Sequence, residues 1–230
     1  MVKQTFKLME YKIISRNTSV AITSSARGNL GPPSVLNQDP PGNDWIKDRW
    51  QAASDMGGTA IPGSHWVILD FSALYTNSDQ AAYVTKVVLD WETAFAYDYR
   101  IESRLNIPTS TGGEKDEWCV LYDGAIDNDG SKNDNQKNLR GISHQYPRKV
   151  VKEYGQSPGV KQKLPLHIIH TIEWGTVVGN SKVEISNVDG TCHLVRYLRI
   201  FIRKPARGWG VSLWQVDVYG FETQMHHRFT

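Results

Sequence analysis

The stretch RGWGVSLWQVDVYGF, Arg207 to Phe221, sets an arginine and a glycine-flanked tryptophan directly before an alternating apolar run. Glycine on both sides of Trp209 leaves its ring uncovered by its chain neighbours. An indole left open in this way offers a flat apolar face to a ligand, and the fork of Arg207 can donate two parallel hydrogen bonds to it. A plainer role stands beside this one, in which Trp209 lids the edge of a core. Trp45, in GNDWIKDRW, is a second candidate ring.

Other chemistry finds little support. The chain has no G-x-S-x-G, no H-E-x-x-H, no phosphate-binding loop and no dinucleotide fingerprint, so no catalysis is expected. His167 and His170 are three apart, which on a strand puts them on opposite faces, and neither a cysteine nor an acid is near in sequence to complete a transition-metal site. DNDGSKND, 127–134, looks like a Ca²⁺ loop, but Ala125 and Gln136 stand where terminal acids are needed, and it reads as an Asn/Asp turn. His226 and His227 read as tail residues.

Such side chains need a scaffold, and the 230 residues predict one all-β domain over 1–230. Trp, Tyr, Gly and Pro are plentiful and no heptad or amphipathic helix appears. Apolar or alternating runs predict strands at QTFKLMEYKII, HWVILDF, YVTKVVLDW, YDYRIESRL, EWCVLYDG, LVRYLRIFIR and SLWQVDVYGF. YDYRIESRL reads as a half-buried strand, with Asp98, Arg100, Glu102 and Arg104 outward. In LVRYLRIFIR, Arg199 and Arg203 face out, and in the last strand Trp214, Val216 and Val218 point inward. The pattern loosens over about 123–191, which reads as an insertion with one strand, LPLHIIHTIEW, inside it. Many strands with turns between them predict a β-sandwich or jelly roll.

The net charge of +2 gives no footprint for nucleic acid or an anionic membrane. MVKQTFKLMEYK has no apolar core of a signal peptide, and no run is long enough to span a bilayer, so the chain as given reads as soluble. A segment of a larger secreted protein would read the same way. Cys119 and Cys192 are either buried thiols or a disulfide, and a bridge would imply an oxidising compartment. NTS at Asn17 is a glycosylation triplet.

The segments DRWQA, HWVILDF, VVLDWETAFAYDYRIESR, EWCVLYDG, RYLRIFIRK and GWGVSLWQVDVYG, in that order, resemble the discoidin, or coagulation factor V/VIII type C, superfamily. Within it they are most similar to the family-32 carbohydrate-binding modules, from about Asn43 to Gly220 apart from 123–191. The resemblance implies a galactose-binding-domain-like jelly roll that binds a glycan non-catalytically through loops at one end. It implies an extracellular or cell-surface setting and, in a parent protein, a linked catalytic domain. Discoidin-type sandwiches also bind proteins and phospholipid, so an interaction or adhesion domain without a sugar ligand is the alternative. The oligomeric state is open.

The resemblance places Glu92 and Asp55 on the ligand side, each with the alternative of a solvated loop carboxylate. Arg27, in the first long loop, joins Trp209, Arg207 and Trp45 as a ligand candidate. The pattern makes Arg49 and Trp50 framework, Trp50 in the core and Arg49 paired with a carboxylate. Phe95 stands where the pattern has Tyr, which removes a hydroxyl. Carboxylates at Asp55 and Glu92 would favour a cationic sugar. The resemblance also implies a structural Ca²⁺ near Asn43, Asp44 and Asp48, with Gln215 standing where the pattern has a Glu ligand.

Overall fold

The computed structural model describes residues 5–25, 27–28, 30–53, 65–75, 77, 80–105, 118–124, 149–154, 167–178, 182–185, 193–206 and 210–226. The strands among them are β1 Thr5–Ile13, β2 Ala21–Ser24, β3 Trp50–Gln51, β4 His65–Asp70, β5 Gln80–Trp91, β6 Ala96–Arg104, β7 Cys119–Asp123, β8 Lys149–Tyr154, β9 Ile168–Glu173, β10 Gly175–Val178, β11 Lys182–Ile185, β12 Leu194–Val195, β13 Tyr197–Pro205 and β14 Ser212–His226. One antiparallel sheet runs β1-β14-β5-β9-β8, with β12 paired to β5 and β3 to β14. The other runs β2-β4-β13-β6-β7, and β10 and β11 form a separate ribbon. The protein is a β-sandwich, as the alternating runs predict.

One core lies between the sheets. Val87, Leu89, Trp91, Leu213, Val216 and Val218 enter it from one sheet, and Val67, Leu69, Tyr99, Ile101, Leu198, Ile200 and Ile202 from the other. Each such side chain contributes roughly 1.5–3 kcal/mol by leaving water. The Trp91 and Tyr99 rings meet across the layer at 5.5 Å. Trp50 is fully buried, and its indole N–H donates to Ser24 Oγ at 3.0 Å.

Trp214 departs from its predicted inward position. Leu213 pairs with Trp91 and Gln215 with Asp90, so β14 has one residue more than β5 at Trp214. This is a β-bulge, which interrupts the two-residue alternation. Leu213 and Val216 therefore both reach the core although they are three apart, and Trp214 stands outside it. A period-2 count cannot see an inserted residue.

The outward side of β6 is also more covered than alternation predicts. Asp98 and Glu102 are buried there, and so is Arg199, opposite Glu102 on β13. Arg199 Nε donates to Glu102 at 2.6 Å, and its guanidinium lies 4.4 Å from the Trp118 ring centroid. Burial pushes the Glu102 carboxyl up, against the pull of Arg199. Arg203 binds both Asp98 and Asp123, and Arg100 Nε donates to Asp123 at 2.7 Å. The charges are paired with each other rather than solvated.

The 123–191 stretch adds to the sandwich instead of looping away from it. It supplies β9, which pairs with β5 from Lys86↔Glu173 to Trp91↔Ile168, and β8, which pairs with β9. Trp174, just past β9, is fully buried and donates its indole N–H to the Leu121 carbonyl at 2.8 Å. Cys119 is disulfide-bonded, and the only other cysteine in the chain is Cys192.

Candidate functional site

Backbone hydrogen bonds gather several loops at one end of the sandwich. Gly28 N donates to Gln51 O at 2.9 Å, Ala52 N to Val211 O at 2.9 Å, Ser212 N to Ala94 O at 2.7 Å and Glu92 N to Ser212 O at 3.0 Å. Arg27 and Ala52 form an isolated bridge, and Ala206 N donates to Phe95 O at 2.9 Å. The flanks of the loops carrying Arg27, Asp55, Glu92, Arg207 and Trp209 thus meet. Asp55, Arg207 and Trp209 themselves lie outside the described residues, as does the 127–134 turn. Gly210 has a φ of 88°, a conformation that favours glycine.

Arg27 is exposed and braces its own loop, with Nη1 donating to Leu30 O at 2.6 Å and Gly28 O at 3.3 Å. Glu92 is not the open loop carboxylate that its position in the sequence suggests. It is 4% exposed, accepts the Ala94 N–H at 2.8 Å and the Thr93 hydroxyl, and lies 3.4 Å from Arg49 Nη1. Its oxygens are spent on the framework, and Arg49 pairs with a carboxylate as the resemblance implies. Phe95 packs edge-on against buried His170, at 5.9 Å.

Trp45 is different: its side chain is 45% exposed and yet held. DWIKD folds into one turn closed from both ends. Asp44 Oδ1 accepts the N–H of Ile46 at 2.9 Å and of Lys47 at 3.1 Å, and Asp48 Oδ2 accepts the N–H of Asp44 at 2.9 Å. Short acidic side chains stabilise turns by such bonds to nearby backbone. Those N–H bonds hold the Asp44 carboxyl below its usual range. Arg49 then locks the ring: Nε donates to the Trp45 carbonyl at 3.1 Å, and the guanidinium carbon is 3.8 Å from the ring centroid. The edge of Trp214 meets Trp45 at 5.8 Å.

Beyond Trp214 lies a residue that sequence reasoning set aside. His167 stacks on the Trp214 ring at 5.4 Å and 25°. Its Nδ1 is 3.0 Å from both Asp90 oxygens, and its side chain is 51% exposed. The hydrogen bond to Asp90 raises its pKa, with burial opposing and the charges of Asp90 and Glu92 adding. His170 falls on the other face, fully buried, with Tyr99 Oη 3.0 Å from its Nδ1. The opposite-face prediction for the two histidines thus holds. Asp90 was missed as a partner because strand pairing, not sequence proximity, brings it near.

The residues implied for Ca²⁺ direct their oxygens to different partners. Asp44 and Asp48 close their own turn, and Asn43 is exposed. Gln215 is buried, and its Nε2 donates to Gln38 O and to Asp217 Oδ1, both at 3.3 Å. Gln215 Oε1 has no hydrogen-bond partner. Positive charge is already present there. Arg16 donates to both Asp217 oxygens, at 2.8 and 2.7 Å, and to Asp39 at 3.1 Å. Among the described residues no three His, Cys, Asp or Glu side chains cluster as a metal site. This donor set does not fit a divalent cation well, because the guanidinium already bridges the acids beside Gln215.

No protein-family model and no curated protein sequence matches the chain. Among solved structures it is similar to chitosan-binding module 1 of a chitosanase/glucanase from Paenibacillus sp. IK-5, with a TM-score of 0.44 and 15% identity over 89% of this chain and 98% of that one. Chitosan-binding module 2 of the same enzyme, in complex with chitotriose, gives 0.41 and 16% over 88% and 97%. A family-32 carbohydrate-binding module of a family 89 glycoside hydrolase from Clostridium perfringens gives 0.41 and 10% over 91% and 99%. No helix among the described residues is long and apolar enough to cross a membrane.

Proposed function

We propose that the protein is a non-catalytic carbohydrate-binding module. The observation that carries this reading is Trp45, an indole left 45% exposed while a doubly closed turn and the Arg49 guanidinium fix it in place. An exposed aromatic side chain normally keeps rotamer freedom that binding must then remove. Here the surrounding structure has already removed it, which suits a face meant for stacking. The gathered loop end, with Arg27, Asp55, Arg207 and Trp209 as ligand candidates, would supply polar contacts and a second ring. Glu92 serves as the support of Arg49.

The module would act outside the cell, where the Cys119 disulfide is maintained, by holding a linked catalytic domain or a cell surface to a glycan. Ca²⁺ is not needed for that role in our reading. The test is retention of the wild type, Trp45→Ala and Trp209→Ala by a panel of immobilised polysaccharides, chitosan among them. Retention of the wild type and a clear loss in Trp45→Ala is the expected result. A folded wild type that no glycan retains overturns the reading and favours a protein partner.

A further inference from the structure

Resting on the carbohydrate reading above, we propose that the binding surface continues from Trp45 over Trp214 to His167, and takes two consecutive pyranose units of a glycan chain. The His167–Asp90 pair then hydrogen-bonds the hydroxyls of the second unit. His167 and its pairing with Asp90 lie outside what the resemblance supplies, because His167 belongs to the 123–191 stretch; Trp214 is turned towards it by the bulge in β14.

The geometry is that of a strip with two raised ends. Trp45 and His167 are about half exposed, and Trp214, at 6%, is recessed between them. Trp214 lies in contact with both, edge to ring with Trp45 at 5.8 Å and stacked with His167 at 5.4 Å, so the exposed ends stand one ring apart and a chain of two units reaches both where a single sugar ring does not. Trp214 joins the two exposed rings into one apolar patch, and the polar arm sits at one end.

That arm is built for hydroxyls. Strand pairing sets Asp90 on β5 beside the residue at the start of β9, and the carboxylate holds the imidazole by Nδ1. Nε2 is at the far corner of a half-exposed ring. In the protonated form it is a donor, and the Asp90 carboxylate, itself partly exposed, remains an acceptor. A vicinal diol needs one acceptor and one donor at about this spacing. The charges facing His167 are Asp90 on β5 and Glu92 just beyond it; Glu92 is in turn neutralised by Arg49 from the turn before β3. Both carboxylates favour the protonated ring.

The test is calorimetric titration with chitooligosaccharides of one to six units, and with the matching ladder of any other polysaccharide the wild type retains. Wild type is set beside His167→Ala, His167→Gln, Asp90→Asn and Trp209→Ala, each checked by thermal melting. The expected result is a gain in affinity between one and two units. His167→Ala and Asp90→Asn lose that gain, by about tenfold, the size of hydrogen bonds to charged groups. Wild-type affinity for the longer ligands falls as pH rises above the ordinary histidine range, and His167→Gln shows no such fall. If both variants keep the gain with chain length, or only Trp209→Ala loses it, the strip is not used, although carbohydrate binding stands. If the wild type binds no ladder, the carbohydrate reading fails and the strip with it.

Discussion

The guanidinium of Arg49 lies 3.4 Å from the carboxylate of Glu92, both of them buried. Burial pulls the Arg49 pKa down, and Glu92 opposes that pull. One pair therefore joins the turn that presents Trp45 to the end of β5.

Breaking that pair should cost far more than removing it. Glu92→Gln or Arg49→Met alone leaves a buried charge without its partner, and each should lower unfolding free energy by about 3–5 kcal/mol. The double variant should be less destabilised than the two single effects added together. Urea denaturation of the four proteins measures this, and full additivity would show that the pair is not coupled.

Chelation is the second case. Arg16 joins Asp39 and Asp217 beside Gln215, which places a fixed positive charge among these acids. The melting temperature should therefore be the same in EDTA and in millimolar Ca²⁺. Gln215→Glu with Arg16→Ala, which frees two carboxylates and adds a third, should melt higher with Ca²⁺ than without. A wild type that loses several degrees in EDTA would contradict this account of Arg16.

Acid stability should depend on His193. It is fully buried, its Nδ1 is 2.9 Å from the Val84 carbonyl, and burial lowers its pKa from 6.5 to about 4. The unfolded chain takes up this proton first as pH falls. Its contribution is complete above pH 6.5 and is lost as pH drops through that value towards 4, by about 3 kcal/mol in all. His193→Asn keeps a donor for Val84 and cannot titrate. The difference in stability between the two proteins should therefore change across that window, and a constant difference would remove His193 from the acid response.

The disulfide sets a fourth expectation. Intact protein should show no reactive thiol, even in denaturant, until a reductant is added. Cys119→Ser opens a long loop and should cost roughly 2–5 kcal/mol. Thiol titration and urea melts of both proteins read the two effects. Free thiol in unreduced, unfolded protein would contradict the bridge.

Much of the sandwich is legible because its long strands alternate cleanly: Leu198, Ile200 and Ile202 enter the core as their spacing predicts. Trp45 reads as a candidate because an indole between acids has few structural uses on a polar loop, and its ring is indeed left exposed. What the sequence hides is cross-strand. His167 finds Asp90 across 77 residues, and no local pattern marks that pairing. Glu92 reads as a surface acid until Arg49 is seen closing over it. Trp214 reads as core because a bulge leaves no mark in the order of apolar residues. Arg199 reads as solvated because its cover, Trp118, lies on another part of the chain.

The added residue at Trp214 separates two kinds of selection. Val216 and Val218 answer to the fit of the two sheets, and changes there are felt throughout the fold. Trp214 answers to the outer face, where Trp45, His167 and Arg49 are among its neighbours. The outer patch can therefore change at these positions while the sandwich stays as it is. Loss of the single codon for Trp214 would do the opposite. It would shift Leu213 and everything before it in β14 by one place, and exchange inside for outside at the end of the sheet where the loops are anchored.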